Sequence, residues 1–534
     1  MRMRRKVDLA SRAAGTECEP PRGPAMRLTL RLNGDCVRGF HVALAERLSQ
    51  LPGMELAIDA RPAAGGVPRG AEALFQLETL IHRLPANGTA MCVPLSTLAR
   101  HACASAPADL TIDLVGDVDP QGRRVWRLTY DGVCGEEALL GLILAGRTPL
   151  ARLEQNGAVV AEGRLGTEYH GIALASFQDM LARSAGLTVA AVNGAARSSL
   201  PTLPEPSSEA APPAMPSATK LGVRAAKATA RRVVQQIYHL CYNAPHWRVG
   251  WRETGGHDLY AQRAHPKSGW RDLPDDGSRF YADPFPVLHR GQVTLFVEDY
   301  IHRAGKAILS AVAFGPNGPA GTPKPVLELP YHLSYPFVFE RDGEMWMVPE
   351  SSANRTVDLY RATAFPGGWV KETTLLSDIV ASDATLVEHG GRWWMFATVR
   401  DGGGAFSDQL HLWSAPDFRG PWTAHPKNPV LIDIATARPA GRMVSRNGQL
   451  LRPVQDCRRS YGAALGIARV TQLDEAGFEQ VVETILNPGT GWAGRKLHTL
   501  NEAGGLEFID GSAMAPRWKT QRHDAMPTGR GDGK

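Results

Sequence analysis

The feature that most constrains this chain is an internal repeat in its second half. Three segments align without gaps: ADPFPVLHRGQVTLFVED (Ala282–Asp299), SYPFVFERDGEMWMVPES (Ser334–Ser351) and SDATLVEHGGRWWMFATV (Ser382–Val399). Each is an apolar strand, a turn and a second apolar strand. The turns centre on Gly291, Gly343 and Gly391, at offsets of 52 and 48 residues. Two weaker copies follow at Ala440–Asp456, turning at Gly448, and at His498–Gly511. LYRATAFPGGW (Leu359–Trp369) and LWSAPDFRGPW (Leu412–Trp422) match at an offset of 53 and read as outer strand pairs. Self-similar hairpins at a period of about 50 residues predict a propeller, here of five blades.

The first half has another pattern. MRLTLRL (Met26–Leu32) alternates like a strand, Cys36–Leu51 carries helical spacing and Met54–Ala60 reads as a second strand. This β-loop-α-β opening predicts an α/β, Rossmann-like domain over 26–195. Asp109–Asp117 reads as a further strand, and Ser176–Gly186 as a helix stopped by its glycine. Six prolines between Pro201 and Pro216 mark a linker over 196–220. A basic helix is expected over 221–244 and the propeller over 245–516, with disordered ends at 1–25 and 517–534. Eleven of the twelve tryptophans lie at or beyond Trp247, in keeping with a separate all-β half.

Composition narrows the function. A net charge of +5 over 534 residues, without a long basic run, argues against a nucleic-acid partner. The seven cysteines (18, 36, 92, 103, 134, 241, 457) include no C-x-x-C pair, so neither a disulfide framework nor a zinc site is expected. A reducing, cytoplasmic setting fits, as does a membrane-peripheral one, because the 221–242 helix suits an anionic membrane surface. A solvated charged face beside the propeller is the plainer expectation for that helix.

In a propeller, the residue opening each inner strand sits near the central axis. Here these positions are Asp283, Tyr335, Asp383, about Ala440, and His498. Acids and a histidine converging from different blades would make a polar site. Asp283 before Pro284 and Asp383 could equally be turn formers. Arg452, Gln455 and Asp456 form a polar cluster that could touch a ligand or tie blades together.

The strings HWRVGW (His246–Trp251), FYADPF (Phe280–Phe285), HLSYPFVF (His332–Phe339), MVPES (Met347–Ser351) and RPVQDCRRSYG (Arg452–Gly462) resemble the N-terminal domain of plant glucosamine inositolphosphorylceramide transferases. The repeated hairpins and GPW (Gly420–Trp422) also resemble five-bladed glycoside hydrolases of arabinans, xylans and fructans. The resemblance covers roughly residues 245–515 and does not extend to the plant family's glycosyltransferase domain. It implies a base at Asp283 and a general acid at Asp383, where the hydrolases carry Glu. It also places Tyr335 where they carry a pKa-tuning Asp. Glu350 and Glu298 are repeat-equivalent acids that could substitute, the first in catalysis and the second, with Tyr335, His498, Arg452, Gln455 and Asp456, in binding.

The implied partner is a glycan or glycoconjugate in envelope polysaccharide or glycolipid synthesis, handled by hydrolase- or transferase-like chemistry. A non-catalytic propeller recognising a sugar or protein is the alternative. The first half weakly resembles tetrahydrofolate-dependent formyltransferases through Val125–Gly146, which would imply one-carbon transfer to an amino sugar; their Asn-x-His motif is missing between Met26 and Gly194. The ligand-facing loop there would be NGDC (Asn33–Cys36). No cofactor or metal set is assigned from the residues, and they do not specify an oligomeric state.

Overall fold

The computed structural model describes residues 26–63, 66–85, 88–103, 107–197, 199–204, 213–315 and 317–517. The expected disordered ends, 1–25 and 517–534, lie outside the described residues except for Arg517.

The first half is an α/β layer structure. Its strands are β1 (Met26–Arg31), β2 (Met54–Asp59), β3 (Ala102–Cys103), β4 (Leu110–Asp113), β5 (Val125–Tyr130), β6 (Val133–Cys134), β7 (Leu150–Gln155) and β8 (Ala158–Arg164). They form one sheet in the order β3-β2-β1-β4-β5-β7-β8, with β6 also on β5. The strands from β3 to β5 run parallel, whereas β6, β7 and β8 join antiparallel, so the sheet is mixed. Helices α1 (Gly39–Ser49), α2 (Arg69–His82), α3 (Glu136–Leu144) and α4 (Ala173–Val192) cover it. Phe40, Leu44 and Leu48 recur every four residues along α1, and all three are buried in the sheet's core.

Helix α4 corrects one expectation. It runs straight through Gly186, because it is buried on most sides between the α/β sheet and the propeller. Tertiary packing outweighs the local helix cost of a glycine there. A Cβ at Gly186 would stand 3.6 Å from Gln409 Oε1 of the propeller.

Helix α5 (Ala218–Cys241) begins at Ser217, whose hydroxyl caps the Lys220 amide at 3.4 Å. It packs on α2 of the α/β half, not beside the propeller. Its outward side exposes Val223, Val233, Val234, Ile237 and Leu240 next to Lys220, Lys227 and Arg231, so the solvated charged face borders an apolar stripe.

The second half closes into a five-bladed β-propeller. Four blades take their strands in chain order from Arg279–Leu327, Ser334–Ser377, Ala381–Ile432 and Val444–Leu486. The fifth pairs the last hairpin, Leu500–Ala503 with Leu506–Ser512, against the early strand Trp247–Glu253, followed by Arg271–Asp272. The two ends of the propeller segment thus share one blade, which closes the ring without leaving the first and last sheets unpaired. The hairpins read from sequence are the inner strand pairs; Leu359–Trp369 spans the outer pair of its blade, whereas Leu412–Trp422 runs from the third strand (Gln409–Ala415) through the turn before the fourth (Thr423–Ala424). Aromatic rings such as Trp346, Trp393 and Phe418 fill the space between blades two and three.

The halves meet through buried polar contacts. Arg183 and Asp408, both 0% exposed, pair at 2.8 Å. Arg164 of β8 bonds Asp433 at 2.5 Å, and its carbonyl accepts from the Ile434 amide.

Candidate functional site: an acidic propeller axis

The inner strands of blades one, two and three share a bulge. The ladder slips between Ala282 and Phe285, between Ser334 and Phe337, and between Ser382 and Thr385. At the slip sit Asp283, Tyr335 and Asp383, all left-handed, with φ of 47°, 45° and 56°. A bulge re-aims a side chain and frees an amide from the ladder. Each freed amide donates to a carboxylate of the preceding blade: Asp283 N to Asp510 at 2.8 Å, Tyr335 N to Asp283 at 3.0 Å and Asp383 N to Glu350 at 3.1 Å. The acids at the axis therefore also join the blades, which offsets the left-handed strain.

Two centres result. Around Asp283, Oδ1 accepts from Thr499 Oγ1 at 3.0 Å and lies 3.6 Å from His498 Nε2. The other imidazole nitrogen, Nδ1, is 2.5 Å from Asp510. Burial opposes a charge on His498, but Asp510 and Asp283 outweigh it and raise its pKa. Trp247 stacks on the imidazole at 4.3 Å and Tyr461 meets it edge-on at 5.3 Å. Burial, opposed by His498 and assisted by Asp510 and Asp383, pushes Asp283 up to about 6.

Around Asp383, Oδ2 accepts from Arg438 Nε at 2.6 Å and from Gln455 Nε2 at 3.0 Å. Arg438 also lies 3.8 Å from Glu350 and covers the Tyr461 ring at 4.9 Å. Burial raises Asp383 to about 7, with Arg438 opposing and Glu350 assisting. Glu298 faces this group too. Burial first, then Asp283, Glu350, Asp510 and Asp383, hold its pKa well above the usual carboxylate range. His332 stands 3.4 Å from it. A glutamate of the α/β half reaches this centre indirectly: Ser407 Oγ donates to Glu168 at 2.7 Å and accepts from Arg438 at 3.3 Å.

Asp283, Asp383, Glu350, Glu298, His498 and Gln455 are thus brought together. Tyr335 is fully buried, its hydroxyl taken by Thr385 Oγ1 and the Gly441 amide, each at 2.8 Å, so it packs the axis without offering a sugar platform. Arg452 lies elsewhere, bonding the Thr436 and Ala437 carbonyls. Asp456 is held by Arg458 at 2.7 Å. Sequence reasoning missed Arg438, Asp510 and Thr499. Asp510 and Thr499 sit inside or beside the last repeat, where alignment with the stronger copies could have flagged them. Arg438 lies on a connecting segment outside the repeat and left no signal.

Asp283, His498 and Asp510 offer ligand atoms that all lie within 4.8 Å of one another, as a divalent cation would need. A metal there would compete with the proton that the two carboxylates draw onto His498.

In the α/β half, Asn33 and Cys36 line a cavity of about 110 Å³ with His41, Tyr130 and Glu136. This crevice lies beyond the carboxyl ends of β1, β4 and β5, where open α/β sheets bind ligands. The one-carbon reading asks for a histidine and an aspartate; the lining holds His41 and Glu136. The His41 Nδ1 accepts from the Arg38 amide at 2.9 Å, and burial, reinforced by Arg38, lowers the imidazole to about 3.

Ring closure and the acidic axis define the second half as a five-bladed propeller with a carboxylate-lined centre. Residues 273–504 match the family described as "Glucosamine inositolphosphorylceramide transferase 1, N-terminal". A relative of that name from Oryza sativa subsp. japonica is 29% identical over 259 residues, covering 46% of this chain and 35% of its own. One from Arabidopsis thaliana is 32% identical over 208 residues, covering 38% and 27%. The chain spans about a third or less of the length of these relatives. Solved structures that match include a thermostable family-43 glycoside hydrolase, 13% identical over 39% of this chain and 76% of its own, with a TM-score of 0.30. Another is an exo-β-1,3-galactanase from Phanerochaete chrysosporium, 14% identical over 42% and 56%, with a TM-score of 0.32.

Proposed function

We propose that the propeller axis binds the sugar portion of a glycan or glycoconjugate and acts on its glycosidic linkage, in envelope polysaccharide or glycolipid synthesis. The observation that carries this reading is a pair of buried carboxyls, Asp283 and Asp383, on equivalent bulges of blades one and three, each beside a different basic side chain. Asp283 has His498 as its partner, whose pKa Asp510 and Asp283 raise, and its own pKa of about 6 favours the ionised base at neutral pH. Asp383, raised to about 7, is protonated in part at neutral pH and could give that proton to a leaving oxygen. Sugar hydroxyls donate readily to such carboxylates.

The name of the matching relatives supports glucosamine linked to an inositol phosphate as the first ligand to try. A second reading is recognition without turnover. It is favoured by Tyr335 standing where hydrolases carry a tuning acid, and by Arg438 and Gln455 already occupying Asp383.

The test is a glycan array that includes inositol-phosphate-linked glucosamine, run with wild type and Asp283→Asn, together with a hydrolysis assay on every hit. Binding with turnover that Asp283→Asn abolishes supports the catalytic reading. Binding without turnover in wild type supports recognition. Binding unaffected by Asp283→Asn would overturn the site.

A further inference from the structure

Helix α5 carries apolar residues on two sides, only one of which packs on the protein. Successive residues rotate by about 100°. Leu221 and Ala225 therefore share one face, and both pack into the core of the α/β half. Arg224 on the same side donates to the Leu144 carbonyl at 2.8 Å. The opposite face carries Val223, Ala226, Ala230, Val233, Val234, Ile237 and Leu240, all exposed. Ile237 is 56%, Val234 63% and Leu240 77% open to solvent. The helix is held through Leu221, Ala225 and Arg224 on one side, and none of the described residues covers the apolar stripe on the other.

Charge says what suits that stripe. Lys220, Lys227 and Arg231 fall along one border of it, Arg232 lies further round, and Ala218–Cys241 contains no acidic residue. A protein partner with an apolar helix of its own would need no such one-signed border. A bilayer with anionic headgroups needs both parts: acyl chains for the stripe and phosphates for the cations. With 24 residues the helix is roughly 36 Å long, enough to lie flat along a membrane surface. No described helix is long and apolar enough to cross one.

We propose that α5 docks the protein on an anionic lipid bilayer, lying in the interface with Val223, Val233, Val234, Ile237 and Leu240 inserted and Lys220, Lys227 and Arg231 at the phosphates. The proposal is independent of the sugar chemistry at the propeller axis, so a failed glycan experiment leaves it standing.

The test is co-sedimentation of the full chain with vesicles of phosphatidylcholine, with and without phosphatidylserine. Binding is expected to the mixed vesicles and to weaken at least about tenfold on phosphatidylcholine alone or in high salt. Val233→Asp with Ile237→Asp should cost at least about tenfold in partitioning, as should Lys227→Glu with Arg231→Glu. Circular dichroism should stay unchanged, since all four side chains are exposed. If the aspartate pair unfolds the protein, Val233→Ser with Ile237→Ser carries the same comparison. Absence of sedimentation with the mixed vesicles overturns the proposal. So does light scattering that shows a dimer dispersed by Val233→Asp with Ile237→Asp, because the stripe would then belong to a second copy.

Discussion

Asp283 and Asp383 share a backbone and differ in company. Both sit at the left-handed residue of a bulged inner strand. Asp283 faces a histidine whose pKa a second carboxylate, Asp510, raises, within reach of aromatic rings. Asp383 faces a permanent cation, Arg438, and a neighbouring acid, Glu350. The repeat therefore supplies position, and what each blade sets beside it, with Arg438 from a connecting segment, supplies the chemistry. Blade two makes the same point, since the equivalent Tyr335 uses its hydroxyl to hold the axis together.

The largest expected break in this comparison is functional. Asp283→Asn and Asp383→Asn should each lower turnover of a glycan substrate by about 10²–10⁴-fold. Asp383→Asn should spare substrates with good leaving groups, whereas Asp283→Asn should not. Steady-state kinetics on activated and natural glycosides would separate the two roles.

Arg438→Ala comes next. It leaves Asp383 and Glu350 buried without their cation, and should cost about 3–5 kcal/mol in urea unfolding. Arg438→Lys should cost less, because it keeps the charge and loses the fork. Tyr335→Phe should cost about 1–3 kcal/mol, as the Gly441 amide and Thr385 lose their partner. A change of that size in turnover with no change in stability would move Tyr335 from the packing to the site.

The smallest effects are pH slopes, and they sharpen the contrast most finely. A carboxyl whose folded pKa lies above its unfolded one holds more protons in the folded state. Each such group makes stability fall as pH rises through that interval, by at most about 1.4 kcal/mol per pH unit. The interval for Asp283 runs from the ordinary 3.8 to about 6, and for Asp383 from 3.8 to about 7. Asp383→Asn should therefore flatten the stability profile to a higher pH than Asp283→Asn does. Activity that needs Asp283 ionised and Asp383 protonated should peak between about 6 and 7.

Much of the propeller was legible in the chain. The glycine turns, the alternating strands and the shared Phe-Gly-Trp spacing are local and repeat, so one sequence displays them several times over. Asp283, Asp383 and His498 could be placed near the axis by counting from those turns. The mixed sheet of the first half was less legible, because β7 and β8 carry the same short alternating pattern whichever way they run. Gly186 read as a stop from its propensity alone, although packing against the propeller carries α4 past it.

The sequence by itself determined the ring and the positions of its acids, since hairpin geometry follows from residue order. Only the tertiary structure decided which cation each acid meets and which face of α5 looks outward. Arg438 reaches Asp383 across 55 positions of chain and Asp510 reaches the Asp283 amide across 227. Contacts between residues so far apart depend on how whole blades and layers pack, and for Arg438, which lies outside the repeat, no periodicity in the chain encodes the contact.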